Sequence, residues 1–299
     1  GFWGEFGVDV FFILSGFAIL YSTGDGITPG VFLKRRLLRI YPTFFVSATF
    51  VLIMRIALGI EARGQIIAYL TSFTMMTDLV GRTPLSSIYW TLMVECKFYL
   101  LVIVIMKLGL WKEHKYGVMY TWVIASFLIK QPFITNLMIL KYAGHFVMGI
   151  LFYLLYYKER DARMIPLAVL SGLGIYRNLT GFQGWIVGSF DVANYSELKM
   201  FFAMMFILAV IFAAPYYKGW GAKTEKAFAL LGRLSFAFYL IHADFGSAFY
   251  KELMGLFHWN EAYIWIVMAI DFVLVTALAI LTDYIGNLLT DVLRQAQKH

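Results

Sequence analysis

Residues 4–20 read GEFGVDVFFILSGFAIL. After Asp9 this run contains only apolar residues, glycine and a single serine, Ser15. A helix built from it is apolar on every side, and such helices are stable only inside a large core or in lipid. The rest of the chain decides between the two. Of its 299 residues 61% are hydrophobic and 14% are charged, and the mean hydropathy is +0.74, far from a soluble domain of this size. About 20 apolar residues cross the hydrocarbon core as a helix. Nine stretches qualify: 6–22, 38–60, 89–109, 117–131, 138–157, 164–178, 199–215, 227–248 and 263–288. The expected fold is all-α, a polytopic transmembrane helical bundle.

The lone cysteine, Cys96, excludes an internal disulfide and a cysteine-based zinc site. The net charge of +7 is a matter of topology rather than of nucleic-acid binding. If the first span runs from outside to inside, fifteen lysines and arginines fall in inner loops and six in outer ones, the positive-inside bias of a multispanning protein. Residue 1 is then extracytoplasmic. Linkers, low-complexity tracts and repeats are absent, so residues 1–299 read as one transmembrane domain. The outer stretch 61–88 contains a loosely amphipathic Ile66–Met76, an expected interfacial helix. A second outer loop, 179–198, with Asn178 at its edge, carries Gln183, Trp185, Asp191, Asn194 and Tyr195, a mixture that suits carbohydrate or an aromatic interface belt.

Ionisable residues inside spans are costly and therefore functional candidates. Asp9, Arg55, Glu95, Lys97, His145, Arg233, His242 and Asp271 qualify. At about 1.5 Å per residue, Asp9, Glu95, His145, His242 and Asp271 lie roughly 5 to 12 Å from the outer ends of their helices. Ser15 lies deeper. VFLKRRLLRIYP places Arg36 and Arg39 at i and i+3, suited to forking onto phosphate oxygens, although a basic cluster beside a span is equally a topology signal. In YWTLMVECKFYLL, Tyr99 lies one turn from Glu95, whose carboxyl suits proton transfer if its cavity is dry, or an ion pair with Arg55 or a lysine if it is structural. Ser235, Tyr239 and His242 share one stripe of the late span. No HExxH or dense His/Asp cluster suggests a metal.

Four stretches, GVDVFFILSGFAI, KRRLLRIYP, YWTLMVECKFYLL and LGRLSFAFYLIH, stand in the order and spacing that resemble the acyltransferase-3 family of bacterial membrane O-acyltransferases. The resemblance implies a ten-helix core in the bacterial inner membrane. It would carry an acyl group, commonly acetyl, from cytoplasmic acyl-CoA to a hydroxyl of an extracytoplasmic polysaccharide or glycolipid, with no metal. Arg36 and Arg39, with Arg35 beside them, match the expected contacts of the CoA phosphates, and Ser15 with Gly16 would admit another helix or the pantetheine arm. Trp90, Thr91, Leu92 and Glu95 match a Trp-Ser-Leu-x-x-Glu motif with threonine for serine. Asp9, Glu95, Tyr239 and His242 are the expected catalytic set, and Trp90, Tyr99 and His145 the expected substrate contacts. The family's first helix, with an arginine and a histidine regarded as the catalytic base, would precede Gly1. The expected partners are acyl-CoA, a carbohydrate acceptor, membrane lipid and a second copy in a homo-oligomer, with no nucleic acid. The polar layer by itself equally suits a proton-coupled transporter or a lipid-linked sugar flippase.

Overall fold

A computed structural model describes residues 6–23, 27–157, 159–189, 197–213, 219 and 221–296. Eleven α-helices follow one another among them: α1 (Phe6–Ser22), α2 (Pro29–Ala57), α3 (Ala62–Ser72), α4 (Trp90–Lys107), α5 (Leu110–Leu128), α6 (Pro132–Leu137), α7 (Ala143–Tyr156), α8 (Met164–Ser189), α9 (Glu197–Ala213), α10 (Ala222–Leu256) and α11 (Ile264–Ala296). No strand occurs among the described residues. Each of the nine expected spans falls on a helix, and the expected interfacial segment, Ile66–Met76, overlaps α3 up to Ser72. Pro29–Ala57, Ser87–Lys107, Ala222–Leu256 and Ile264–Ala296 are long and apolar enough to cross a membrane, and shorter apolar helices run over Gly7–Ser22, Leu140–Tyr156, Met164–Leu179 and Phe201–Ala213. The protein is an all-α helical membrane protein.

The helices overrun their apolar stretches, because hydropathy marks the part in lipid while the hydrogen-bonded ladder continues past it. α2 begins nine residues before its expected span and so takes Arg35, Arg36 and Arg39 into one helix with Arg55. α8 runs through Ser189, so much of the expected outer loop 179–198 is helical instead; Gln183, Trp185, Asp191, Asn194 and Tyr195 lie outside the residues whose side chains are described. α5 starts with a polar turn and leaves helical geometry at His114 (φ −124°, ψ 20°), so its apolar part begins beyond that break. Gly109, at φ +67°, makes the left-handed turn between α4 and α5 that a side chain would resist.

The chain divides into two compact units, residues 1–33 with 94–218 and residues 34–93 with 219–299. In lipid, helices are not driven together by water, so close packing of small residues must do it. The first unit shows how. A side chain on Gly16 would strike the backbone carbonyl of Phe146, and one on Gly149 the carbonyl of Ile13, so α1 and α7 touch backbone to backbone. Gly144 meets Ser171 of α8 in the same way: a methyl there would stand 2.7 Å from the Ser171 carbonyl oxygen. Phe98, Trp122 and Phe146 stack face to face behind this contact, with 3.9 Å between the Phe98 and Phe146 rings. The second unit repeats the device at Gly286 of α11, which lies against Thr43 of α2. There Phe44, Phe73 and Tyr89 pack edge to face, and Tyr41 Oη donates to the Phe73 carbonyl at 2.9 Å. Trp265, Phe272 and Val273 of α11 point outward, as a lipid-facing helix requires.

Candidate functional site

The first unit brings Asp9 and His145 together. Asp9 Oδ1 lies 2.8 Å from His145 Nε2, and the imidazole is fully buried while Asp9 is 14% exposed at its side chain. The oxygen stands off the line of a ring N–H, so the contact is one of proximity rather than an aligned hydrogen bond. α1 presents Asp9 in its first turn and α7 presents His145 in its own, so the glycine contacts that join these helices also set the pair. His145 Nδ1 has no hydrogen-bond partner among the described residues. The ring of Tyr142 meets the imidazole edge-on at 5.6 Å, and Lys141 and Tyr142 both feel the charge of Asp9. Further along α1, Ser15 is buried beside Gly16, and the close approach that Gly16 permits is made by α7.

Glu95 and Tyr99 form the second polar pair of this unit. Both are buried, and Tyr99 Oη donates to Glu95 Oε1, the i to i+4 contact that their spacing on α4 dictates. Lys97, on another face of α4, is buried and donates to Asn136 Oδ1 at 2.8 Å. The guanidinium of Arg55, expected as a structural partner for Glu95, is taken by Asp244 instead.

In the second unit, Thr91 and Tyr239, 148 residues apart, share a hydrogen bond of 2.8 Å, and Tyr239 Oη also reaches the Ile88 carbonyl at 3.1 Å. One turn along α10 stands His242, whose Nδ1 lies 2.8 Å from the Tyr239 carbonyl. A carbonyl can only accept, so Nδ1 carries a proton, and in the neutral ring the lone pair is then on Nε2. The Phe238 ring stacks on this imidazole at 5.8 Å and fixes its plane. Trp90 stands 39% exposed at the start of α4. Asp271 of α11 approaches Gly246 of α10, and its Oδ1 is buried with no partner among the described residues.

The basic residues separate by exposure: Arg36 is buried, whereas Arg35 and Arg39 are exposed on the same helix. Sequence reasoning singled out Arg55 but not its partner. Asp244 Oδ1 lies 3.2 Å from Arg55 Nε and 2.5 Å from Nη2, and Arg55 Nη1 donates to Gln65 of α3 at 3.2 Å. An acid inside the apolar run of α10 was the available signal, since such a group requires a partner. Among the described residues, no three His, Cys, Asp or Glu side chains gather as a metal cage.

The family model described as Acyltransferase domain matches residues 1–284. Over 132 residues the sequence is 31% identical to "Nodulation protein 10" of Rhizobium leguminosarum bv. viciae, a match covering 36% of this chain and 34% of that protein. The chain thus spans about a third of the length of the curated relative it matches. No solved structure matches.

Proposed function

Because the chain belongs to the acyltransferase family whose model it matches over residues 1–284, we propose that it moves an acetyl group from acetyl-CoA to a hydroxyl of a surface carbohydrate. The donor is taken from the cytoplasmic side of a bacterial inner membrane, and the acceptor lies on the extracytoplasmic side. The observation that carries this reading is the meeting of Thr91, Tyr239 and His242, contributed by two distant stretches that both bear the family resemblance.

A histidine takes the proton of the acceptor hydroxyl as that oxygen attacks the thioester carbonyl, a role that the resemblance gives to a helix before Gly1 and that His242 Nε2 fills among the described residues. The negative charge moves to the carbonyl oxygen, toward which the hydroxyls of Tyr239 and Thr91 turn from the Ile88 carbonyl and from each other to donate. The carbon–sulfur bond then breaks, and the CoA thiolate leaves with the proton returned from His242. Arg36 and Arg39, with Arg35, hold the CoA phosphates through charge-assisted forks. From Arg36 to Arg55, nineteen residues along α2, is about 28 Å, so this helix alone carries charge from one edge of a hydrocarbon core to the other. Ser15 lends its hydroxyl to the pantetheine arm, and Trp90 offers a flat apolar face to a sugar. Asp9 orients His145 for the substrate, and Glu95 with Tyr99 supplies a second acid and hydroxyl.

The test is transfer of labelled acetyl from acetyl-CoA by the reconstituted full chain. His242→Gln should lower kcat by about 10²- to 10⁴-fold. Arg36→Ala with Arg39→Ala should raise the KM for acetyl-CoA and leave that for the acceptor. Full activity of His242→Gln, or sugar uptake without consumption of acetyl-CoA, would sink the reading, the latter in favour of transport.

A further inference from the structure

The Arg55–Asp244–Gln65 cluster of the second unit is a polar site that the acyl-transfer chemistry leaves unused. Asp244 is 8% exposed at its side chain, and its Oδ1 takes two N–H groups of Arg55. Its Oδ2 is buried and has no hydrogen-bond partner among the described residues. A carboxylate oxygen kept from water and left unpaired is expensive, so a donor is wanted there. Arg55 is 25% exposed and opens the cluster to the surroundings. Three of its five N–H groups are committed, two to Asp244 and one to Gln65 Oε1, which leaves two. The amide nitrogen of Gln65 adds two more donors.

The pairing of charges decides the class of ligand. Arg55 and Asp244 cancel, so the site has no preference for an anion. What it offers is fixed N–H donors beside a fixed carboxylate acceptor, and the group that uses both at once is the hydroxyl, which accepts through its lone pairs while donating its proton. Neighbouring hydroxyls on one sugar ring can occupy both. The elements agree with this placement: Arg55 lies in the last turn of α2, Gln65 belongs to α3, and Asp244 lies in the part of α10 beyond Tyr239 and His242.

We infer that Arg55, Asp244 and Gln65 form the docking site for the neutral hydroxyls of the carbohydrate acceptor, with Asp244 Oδ2 accepting from a sugar O–H. The inference rests on the acetyl-transfer reading for the identity of its ligand. It does not depend on that reading for the existence of the site.

The experiment uses the full chain in proteoliposomes and, as the probe, surface polysaccharide purified from cells lacking the gene. Acetyl transfer from acetyl-CoA and retention of the polysaccharide on sedimented proteoliposomes are both followed. Asp244→Asn should raise the acceptor KM at least tenfold, with the Kd for acetyl-CoA within twofold of wild type. The charge-swapped Arg55→Asp, Asp244→Arg chain separates a sugar site from a helix clamp. It should recover the thermal stability lost in either single variant while the acceptor KM stays at least tenfold high. An acceptor KM unchanged in Asp244→Asn, or one restored by the swap, overturns the inference. If the wild type transfers nothing, the acetyl-transfer reading fails, and retention then judges the site by itself: loss in Asp244→Asn sustains it, and equal retention removes it.

Discussion

Asp9 and His145 meet where there is almost no water. Removing one partner of a buried polar contact typically costs about 1–3 kcal/mol, because the other is left unsatisfied. Asp9→Asn should therefore lower thermal stability sharply, and His145→Gln should do likewise. The double variant should be more stable than the sum of the two predicts, by about 1–3 kcal/mol of coupling in a thermodynamic cycle. Additive losses would show that the 2.8 Å contact is incidental. At the Thr91 hydroxyl the expectation runs the other way. Serine places a hydroxyl at the same point, so Thr91→Ser should keep the bond to Tyr239 and most of the activity, whereas Thr91→Val should lose both, as measured by kcat. The residues of the family stretches were legible because each signature carries its own polar group in an apolar setting. Asp244 was not, because its meaning depends on Arg55, 189 positions away, and no local pattern encodes that.

Elements were legible in proportion to how strongly lipid dictates them. A span must be apolar, so the helices under the nine expected stretches were visible, yet nothing obliges a helix to stop where lipid does. The start of α2 and the ends of α8 and α10 consequently escaped. Close approach of helices was also hidden, since glycine has the same letter whether or not a neighbour touches it. Gly16 and Gly149 have backbone carbonyls where a methyl would go, while Gly117 of α5 and Gly232 of α10 have nothing within 4 Å. Gly16→Ala and Gly149→Ala should each cost about 1–3 kcal/mol through forced separation of α1 and α7. Gly232→Ala should be neutral or gain about 0.5–1 kcal/mol, since glycine is a poor residue inside a helix. Thermal unfolding in detergent compares the three. Equal behaviour would mean that α1 and α7 are held by their aromatic contacts instead.

Across the whole molecule, the distribution of positive charge is the argument for orientation, and the acetyl-transfer reading needs that orientation. Donor arginines at the start of α2 must face the compartment that holds acetyl-CoA, and the hydroxyl-binding end of the same helix must face the glycan. If fifteen cations mark the inside, the turn before α8 is cytoplasmic and the turn between α5 and α6 is not. Arg160 and Lys130 stand exposed at those two turns, so both can report. In a chain with Cys96 replaced by alanine, Lys130→Cys should react with a membrane-impermeant maleimide in cells whose outer membrane alone has been permeabilised. Arg160→Cys should react only after the inner membrane is opened. The opposite pattern would put Arg36 and Arg39 on the glycan side, beyond the reach of acetyl-CoA, and would leave the basic turn of α2 without a donor to bind.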